Sequence, residues 1–463
     1  MTDRNTNHFR GQHYAADHIT GPVPFLNPTT RLLPLHKPKE QGRDQQAAPH
    51  PPTIGGDEYG APEKQPASTP DLTPTATHSS GVYHIWRSRD NRKGRHALAL
   101  TRSAEASAAV AVGAHQHKPR RTTTTGSTLQ GIARMFLRYP VWDVSYDVAT
   151  IFTLGSVVWV LNGFFVLLPT TDPGSSWPGE SAWGGGVSAV VGATIFEVGS
   201  VLLMLEAVNE NRSDCFGWAL EEALGHGGAE GRLVLRREKS RCNHHHRAKR
   251  AFLKGTVVDG SDGNMNAGEQ GDASSGQDEG SRTTAGRRWT WWPSWYELRT
   301  HYFREIGFLA CLSQMIGATI FWISGFTGLP QVLGVLTVPA ENGIFWLPQV
   351  VGGTGFIISS WLFILETQPN WHTPSLTTLG WHIGFWNLVG ALGFTLCGAL
   401  GFASGSSPAC ETASLWSTFI GSWAFLVGSI IQWYESLDKY PVTVIDKQFV
   451  GPGASSSGIL EKI

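Results

Sequence analysis

The chain alternates long apolar blocks with polar stretches. Six blocks each run about 20 residues, the length an α-helix needs to cross the hydrocarbon core. They lie near Val148–Leu168, Val187–Ala207, Ile306–Phe326, Phe345–Leu365, Leu379–Phe402 and Ala413–Trp433. The pattern predicts an all-α membrane part of six transmembrane helices, joined as three two-helix hairpins.

The hairpins share an internal pattern. The even-numbered spans align without gaps: Gly192-x3-Phe196-x2-Gly199-Ser200-x5-Glu206, Gly352-x3-Phe356-x2-Ser359-Ser360-x5-Glu366 and Gly421-x3-Phe425-x2-Gly428-Ser429-x5-Glu435. The odd-numbered spans share Gly155-x3-Trp159-x3-Gly163, Gly317-x3-Phe321-x3-Gly325 and Gly390-x3-Phe394-x3-Gly398. At 100° per residue, offsets of 0, 4, 7 and 14 fall within about 40° of one line on a helix. Glycine, phenylalanine, small residue and glutamate therefore share a face. Stripes of small residues let helix backbones approach where lipid removes the hydrophobic force between helices, so these glycines are expected to be packing surfaces. Three hairpins running the same way imply an axis along the membrane normal, unlike the inverted repeats of many secondary transporters. The Pro-x-acid-x-x-base signature of mitochondrial carriers is missing.

Charge orients the chain. The connections 169–186, 327–344 and 403–412 contain no Lys or Arg, whereas 208–305 contains fifteen, among them Arg232, Arg236, Arg237, Lys239, Arg247, Lys249 and Arg250. Arg120, Arg121, Arg134 and Arg138 precede the first span, and Lys439 and Lys447 follow the last. By the positive-inside rule every basic cluster, and both termini, fall on the cytoplasmic face. The expected organisation is a disordered tail over 1–130, hairpin repeat 1 over 131–208, a basic and flexible loop over 209–293, repeat 2 over 294–370, repeat 3 over 371–440 and a C-terminal tail over 441–463.

The first 130 residues are rich in Pro, Thr, His and Gln, with too little apolar surface to offset the entropy of ordering. They show no signal-peptide core, and only Ala104–Gly113 reads as a short helix. In the large loop, Asp214–Leu224 reads as a short amphipathic helix and Arg232–Lys254 as a basic patch for anionic lipid head groups. Thr256–Gly286 is a Gly-, Ser- and Asp-rich linker. Arg287–Trp292 is expected to meet the bilayer, and Ser294-x-x-Glu297 to cap a helix leading into span three. A net charge of −1 gives no case for nucleic acid as a partner. The five cysteines show no paired spacing, so no disulfide framework is implied.

The hairpin pattern with its Phe-x-x-Gly-Ser core resembles the YrhK-like membrane domain, and the arrangement is similar to uncharacterised multi-pass proteins of filamentous fungi. The resemblance covers the spans alone and implies no reaction, substrate or functional residue.

Several polar residues invite chemistry. Glu206, Glu366 and Glu435 sit at cytoplasmic helix ends, where the macrodipole disfavours a carboxylate by about 0.3–1 kcal/mol. They are either ion-paired with a basic residue such as Arg138, Arg304 or Lys439, or form an acidic ring at a vestibule that attracts cations. Glu197 lies near mid-span, turned away from the shared face, with no Lys or Arg in any span to pair it. It is either a proton-accessible site or a neutral carboxyl hydrogen-bonded between helices, with Asn162, Gln314 and Asn387 as candidate partners. His382 reads as a satisfied interfacial histidine before a proton relay. Cys242-Asn-His244-His245-His246 has metal-like composition but lacks two spaced ligand pairs, so no metal and no cofactor is expected.

The sequence carries no His-Glu-x-x-His, Gly-x-Ser-x-Gly or phosphate-binding loop, which argues against an enzyme. The expected function is structural or organising within a plasma membrane or endomembrane, with the lipid bilayer as partner. The alternative is a proton- or cation-coupled transporter or channel using Glu197. A closed, Gly-packed bundle would favour the first, and a water-filled cavity reaching Glu197 the second.

Overall fold

In a computed structural model the described residues are 19–34, 82–101, 125–217, 219–220 and 289–445. Six long apolar helices run over Val144–Thr171, Gly186–Val208, Ile306–Thr327, Leu347–Glu366, Leu379–Gly401 and Pro408–Leu437. All six are long and apolar enough to cross a bilayer, and this is a multi-pass membrane protein. The second and fourth are each preceded by a π-helical turn, at Glu180–Gly185 and Asn342–Trp346. Each span packs against the next, and the sixth against the first, so the helices form a closed ring. The outward faces are apolar, with Leu154, Leu161, Val191, Val198, Ile316, Ile323, Val351, Ile358, Leu392, Ile420 and Ile430 exposed to the lipid position.

One aromatic side chain from each helix meets in the centre. Trp159, Phe321 and Phe394 come from the odd spans, and Phe196, Phe356 and Phe425 from the even ones. None is more than 6% exposed. Ring centroids lie 4.9 Å apart for Trp159–Phe394, 5.2 Å for Phe394–Phe425, 5.6 Å for Phe196–Phe425 and 5.6 Å for Phe321–Phe356. Mostly edge-to-face, these are the arrangements that aromatic quadrupoles prefer.

The shared glycines make this layer possible. In all three hairpins a glycine of one helix faces an aromatic ring of its partner: Gly155 faces Phe196, Gly192 faces Trp159, Gly352 faces Phe321, Gly390 faces Phe425 and Gly421 faces Phe394. A Cβ at Gly317 would stand 2.8 Å from the carbonyl oxygen of Gly352, so those backbones nearly touch. Gly163, Gly199, Gly325, Gly398 and Gly428 likewise lie against Phe419, Phe152, Ala193, Gln349 and Asn387.

Two expectations are corrected. The fold is not all-α, and residues 1–130 are not uniformly without structure. Within them β1 (Ile19–Thr20), β2 (Thr30–Pro34), β3 (Val82–Arg87) and β4 (Ala97–Thr101) form a sheet, completed by β5 (Val442–Ile445) from the expected C-terminal tail. The order is β1-β2-β3-β4-β5, antiparallel except for β4 and β5, which run parallel with Leu98 opposite Val442. These strands were missed because they are short and their partners are remote. Strand pairing supplies the burial that the local composition lacks. A helix also precedes the first span at Thr125–Leu137.

The long connection is corrected at both ends. Phe216 and Trp289 are buried against each other with centroids 5.6 Å apart, so Trp289 packs inside the protein, while Trp292 is exposed. The side chain of Asn209 joins Thr290 through two hydrogen bonds, of 2.8 and 2.7 Å. The expected capping box at Ser294 and Glu297 is present, but its helix stops at Thr300 and a 3₁₀ turn intervenes before the third span. The segment 104–113, the basic stretch 232–254, the Cys242–His246 tract and the linker 256–286 lie outside the described residues.

Backbone atoms cannot yield as flexible side chains do. Gly317→Val should therefore lower stability in detergent by about 1–3 kcal/mol, read as a fall in Tm. Gly405→Ala, where nothing lies within 4 Å, should leave Tm nearly unchanged.

Candidate functional site

The site grows from the connection between β3 and β4. After Arg87 the chain makes one short helix, α1 (Ser88–Arg92), and turns back through Lys93 and Gly94. Gly94 has φ +62°, a left-handed conformation that glycine adopts without steric cost. The connecting residues are Ser-Arg-Asp-Asn-Arg-Lys-Gly-Arg-His, a composition that ordinarily faces water. Here Ser88, Arg89, Asp90, Arg92, Lys93, Arg95 and His96 are all buried, Lys93 to 1% exposure.

They are buried in the mouth of the helix ring, where the second, fourth and sixth spans end in Glu206, Glu366 and Glu435. Arg92 grips Glu366 with both ends of its fork, at 2.8 and 3.0 Å, and reaches Glu206 at 3.2 Å through Nε. Arg89 donates to both oxygens of Glu435, at 3.3 and 2.8 Å. Arg95 bridges Glu435 at 3.1 Å and Asp90 at 2.7 Å. Lys93 Nζ stands 3.7 Å from Glu206, an ion pair without a hydrogen bond. Four cations thus meet four carboxylates, those of Asp90 and the three span-terminal glutamates.

The odd spans make room for this lock at their second residue. A Cβ on Gly307 would overlap Arg92 and Glu366, and one on Gly380 would overlap Arg89. The corresponding residue of the first span is Ser145, which is fully buried. Outer braces complete the fit. Ser88 Oγ donates to Glu366 at 3.0 Å, and the backbone oxygen of Lys93 accepts from Ser213 at 3.1 Å and from Lys439 at 2.9 Å.

Burial works against every charge here, and the outcome depends on the partners. For Arg92, burial is outweighed by Glu366 and Glu206 together, so its pKa stays above the ordinary value. For Arg95, Asp90 and Glu435 do the same. For Lys93, burial prevails over the attraction of Glu206, and its pKa falls below the ordinary lysine value. Between the lock and the aromatic layer is a cavity of about 40 Å³, lined by Arg92, Lys93, Gln314, Asn387, Ser429 and Gln432 among others. It is large enough for water to solvate Lys93.

Glu206, Glu366 and Glu435, expected as a group, meet in the mouth of the ring. The sequence did not reveal their partners. Arg138, Arg304 and Lys439, the expected cations, do not pair with them; Lys439 instead lies 2.6 Å from Asp143. The ring of acids is not an open vestibule, because the β3–β4 connection fills it. The available signal was the charge-dense run 87–95 flanked by two strand-like segments, Val82–Trp86 and Ala97–Thr101.

The remaining candidates separate. Glu197 accepts from Thr319 of the third span at 3.0 Å, and its other oxygen is shielded without a hydrogen-bond partner. Asn162, Gln314 and Asn387 are not its partners. Asn162 donates to Gly185 at 2.7 Å and Ser188 at 3.0 Å, bracing the start of the second span. Gln314 and Asn387 line the cavity. His382 is held by the carbonyl of Leu376 at 2.8 Å, as a satisfied histidine would be.

A second charged group lies beside the lock. Glu305, at the entry to the third span, is buried and accepts a hydrogen bond from Asn27. Burial and the neighbouring charge of Glu210 push its carboxyl up to about 8. No protein-family model, no curated protein and no solved structure matches the chain.

Breaking a buried pair from one side leaves an uncompensated charge. Arg92→Met should lower stability by about 3–5 kcal/mol, and Arg92→Met with Glu366→Met should recover a large part of the loss, measured by denaturation in detergent. A pH series tests Glu305. Its folded value near 8 exceeds its ordinary 4.5, so its contribution is fully present below 4.5 and is lost as pH rises through 8. In EDTA-containing buffer, the Tm of wild type relative to Glu305→Gln should fall across that interval.

Proposed function

We propose that this protein is a structural, organising component of its membrane, and that it holds the β-sheet against the bilayer surface. The observation that carries this reading is the closure of the helix ring at two levels. Six aromatic side chains fill the axis, and the β3–β4 connection fills the mouth with paired charges. The reading places the sheet, the lock and both termini on the cytoplasmic side, in keeping with the basic residues outside the spans. The three hairpins then form one pseudo-threefold unit, supported by the shared glycine, aromatic and glutamate positions. The basic segment 232–254 would add contact with anionic lipid. Glu197 serves here as a carboxyl joining the second and third spans through Thr319, away from any route along the axis. No reaction is assigned to the chain.

Flux in reconstituted liposomes distinguishes this role from transport. Wild-type protein and a variant with Arg89→Gln, Arg92→Gln and Arg95→Gln should both leave proton and potassium gradients unchanged, because the aromatic layer remains shut. Dissipation by the variant would overturn the structural reading and make the β3–β4 connection the plug of a channel. Pulldown of tagged protein in native lipid nanodiscs, comparing the chain with one lacking 1–124, should show that membrane partners depend on the sheet.

A further inference from the structure

We propose that Glu210, His301 and Glu305 bind a divalent transition-metal cation of the zinc class, clasping the two ends of the long connection between the second and third spans. One ligand atom from each of the three lies within 4.8 Å of the others. A tetrahedral cation with bonds near 2.1 Å holds its ligands about 3.4 Å apart. His301 Nε2 and Glu210 Oε1 already stand 3.7 Å apart, and both side chains are roughly one-fifth exposed (22% and 23%). They can close the remaining gap, and the same exposure gives a cation its path in.

The surroundings resemble the outer shell of a metal site, in which carboxylate ligands are themselves held by hydrogen bonds. Asn91 Nδ2 donates to Glu210 Oε2 at 2.8 Å, leaving Oε1 toward His301. Asn27 Nδ2 donates to Glu305 Oε1 from a side chain that is 1% exposed, and its backbone N–H donates to the Arg304 carbonyl at 2.9 Å. Asn27 Oδ1 is buried with no hydrogen-bond partner. With Nδ2 on Glu305, that side chain holds the carboxylate from outside the site, and the fourth position is left to water. One imidazole with two carboxylates suits zinc and its first-row neighbours, whereas magnesium and calcium take oxygen ligands alone.

The location gives the ion its role. Glu210 follows the second span, and His301 and Glu305 precede the third, so a cation there closes the neck of a connection about 90 residues long. A clip across a long loop removes the most chain entropy. The neck is already drawn together by Asn209 with Thr290 and by Phe216 with Trp289.

The test uses the full chain in detergent with His244, His245 and His246 changed to alanine, so that the histidine tract cannot bind. After chelation and desalting, equilibrium dialysis against zinc chloride should show one zinc per chain and a higher Tm. His301→Ala and Glu305→Gln should each lose that equivalent, and Asn27→Ala should weaken it by roughly 10–100-fold. X-ray absorption of the loaded protein should show one imidazole among nitrogen and oxygen ligands. Absence of stoichiometric zinc, or an unchanged equivalent in His301→Ala, would overturn the proposal. So would sulfur in the coordination shell, a result that does not depend on any variant folding.

Discussion

A buried charge must find its opposite. The penalty for leaving one unpaired is several kcal/mol, more than most single interactions contribute. Three helices of this bundle each deliver a glutamate to the same end of the ring. Neither the lipid nor the neighbouring helices supply a cation there. The β3–β4 connection does, with three arginines and a lysine, and it brings Asp90 to balance the count. The position of the sheet follows from this requirement. Arg92 joins the ends of the second and fourth spans, and Arg89 and Arg95 hold the sixth, so one short segment ties three hairpins together. Bidentate geometry makes that tie directional, since the fork of Arg92 fits Glu366 in one orientation.

The second constraint is steric and acts within the bilayer. Without a hydrophobic force between helices, association depends on close contact. Here a large ring on one helix faces the bare backbone of a glycine on its hairpin partner. That exchange brings the helices near and points the rings inward, where the six meet. The same economy recurs at the mouth, where Gly307 and Gly380 leave space for guanidinium groups instead of rings. Packing and charge pairing thus use one device, a missing Cβ, at two depths.

Much of this was legible in the sequence, because the features concerned are local. A run of 20 apolar residues reports a span without reference to anything else, and glycine, phenylalanine and glutamate at fixed offsets report a shared face. The lock was not legible for the opposite reason. Arg89 and Glu435 are 346 positions apart, and β4 finds β5 across a comparable distance. Read locally, Arg87–Arg95 is a solvated charge run and the strands around it are too short to stand out. The glutamates told that partners were needed, yet the basic residues flanking the spans, Arg138, Arg304 and Lys439, were the wrong ones. Trp289 misled in a similar way. A tryptophan beside basic residues reads as a bilayer anchor, but its ring lies against Phe216.

The chain order adds a consequence. The four cations precede the first span, while their last carboxylate, Glu435, closes the sixth, and β5 follows it. The lock and the sheet can therefore be complete only when every hairpin is in place. Until then Arg89, Arg92 and Arg95 remain in water with their charges solvated, at no cost. Once Glu206, Glu366 and Glu435 stand together, the connection exchanges hydration for three bidentate or bridging contacts, and the desolvation of each side is compensated by the other. A bundle lacking one hairpin would offer four cations three carboxylates, Asp90 included, and would leave one charge buried without its counterpart. The charge balance at the mouth thus couples the sheet to correct assembly of all six helices.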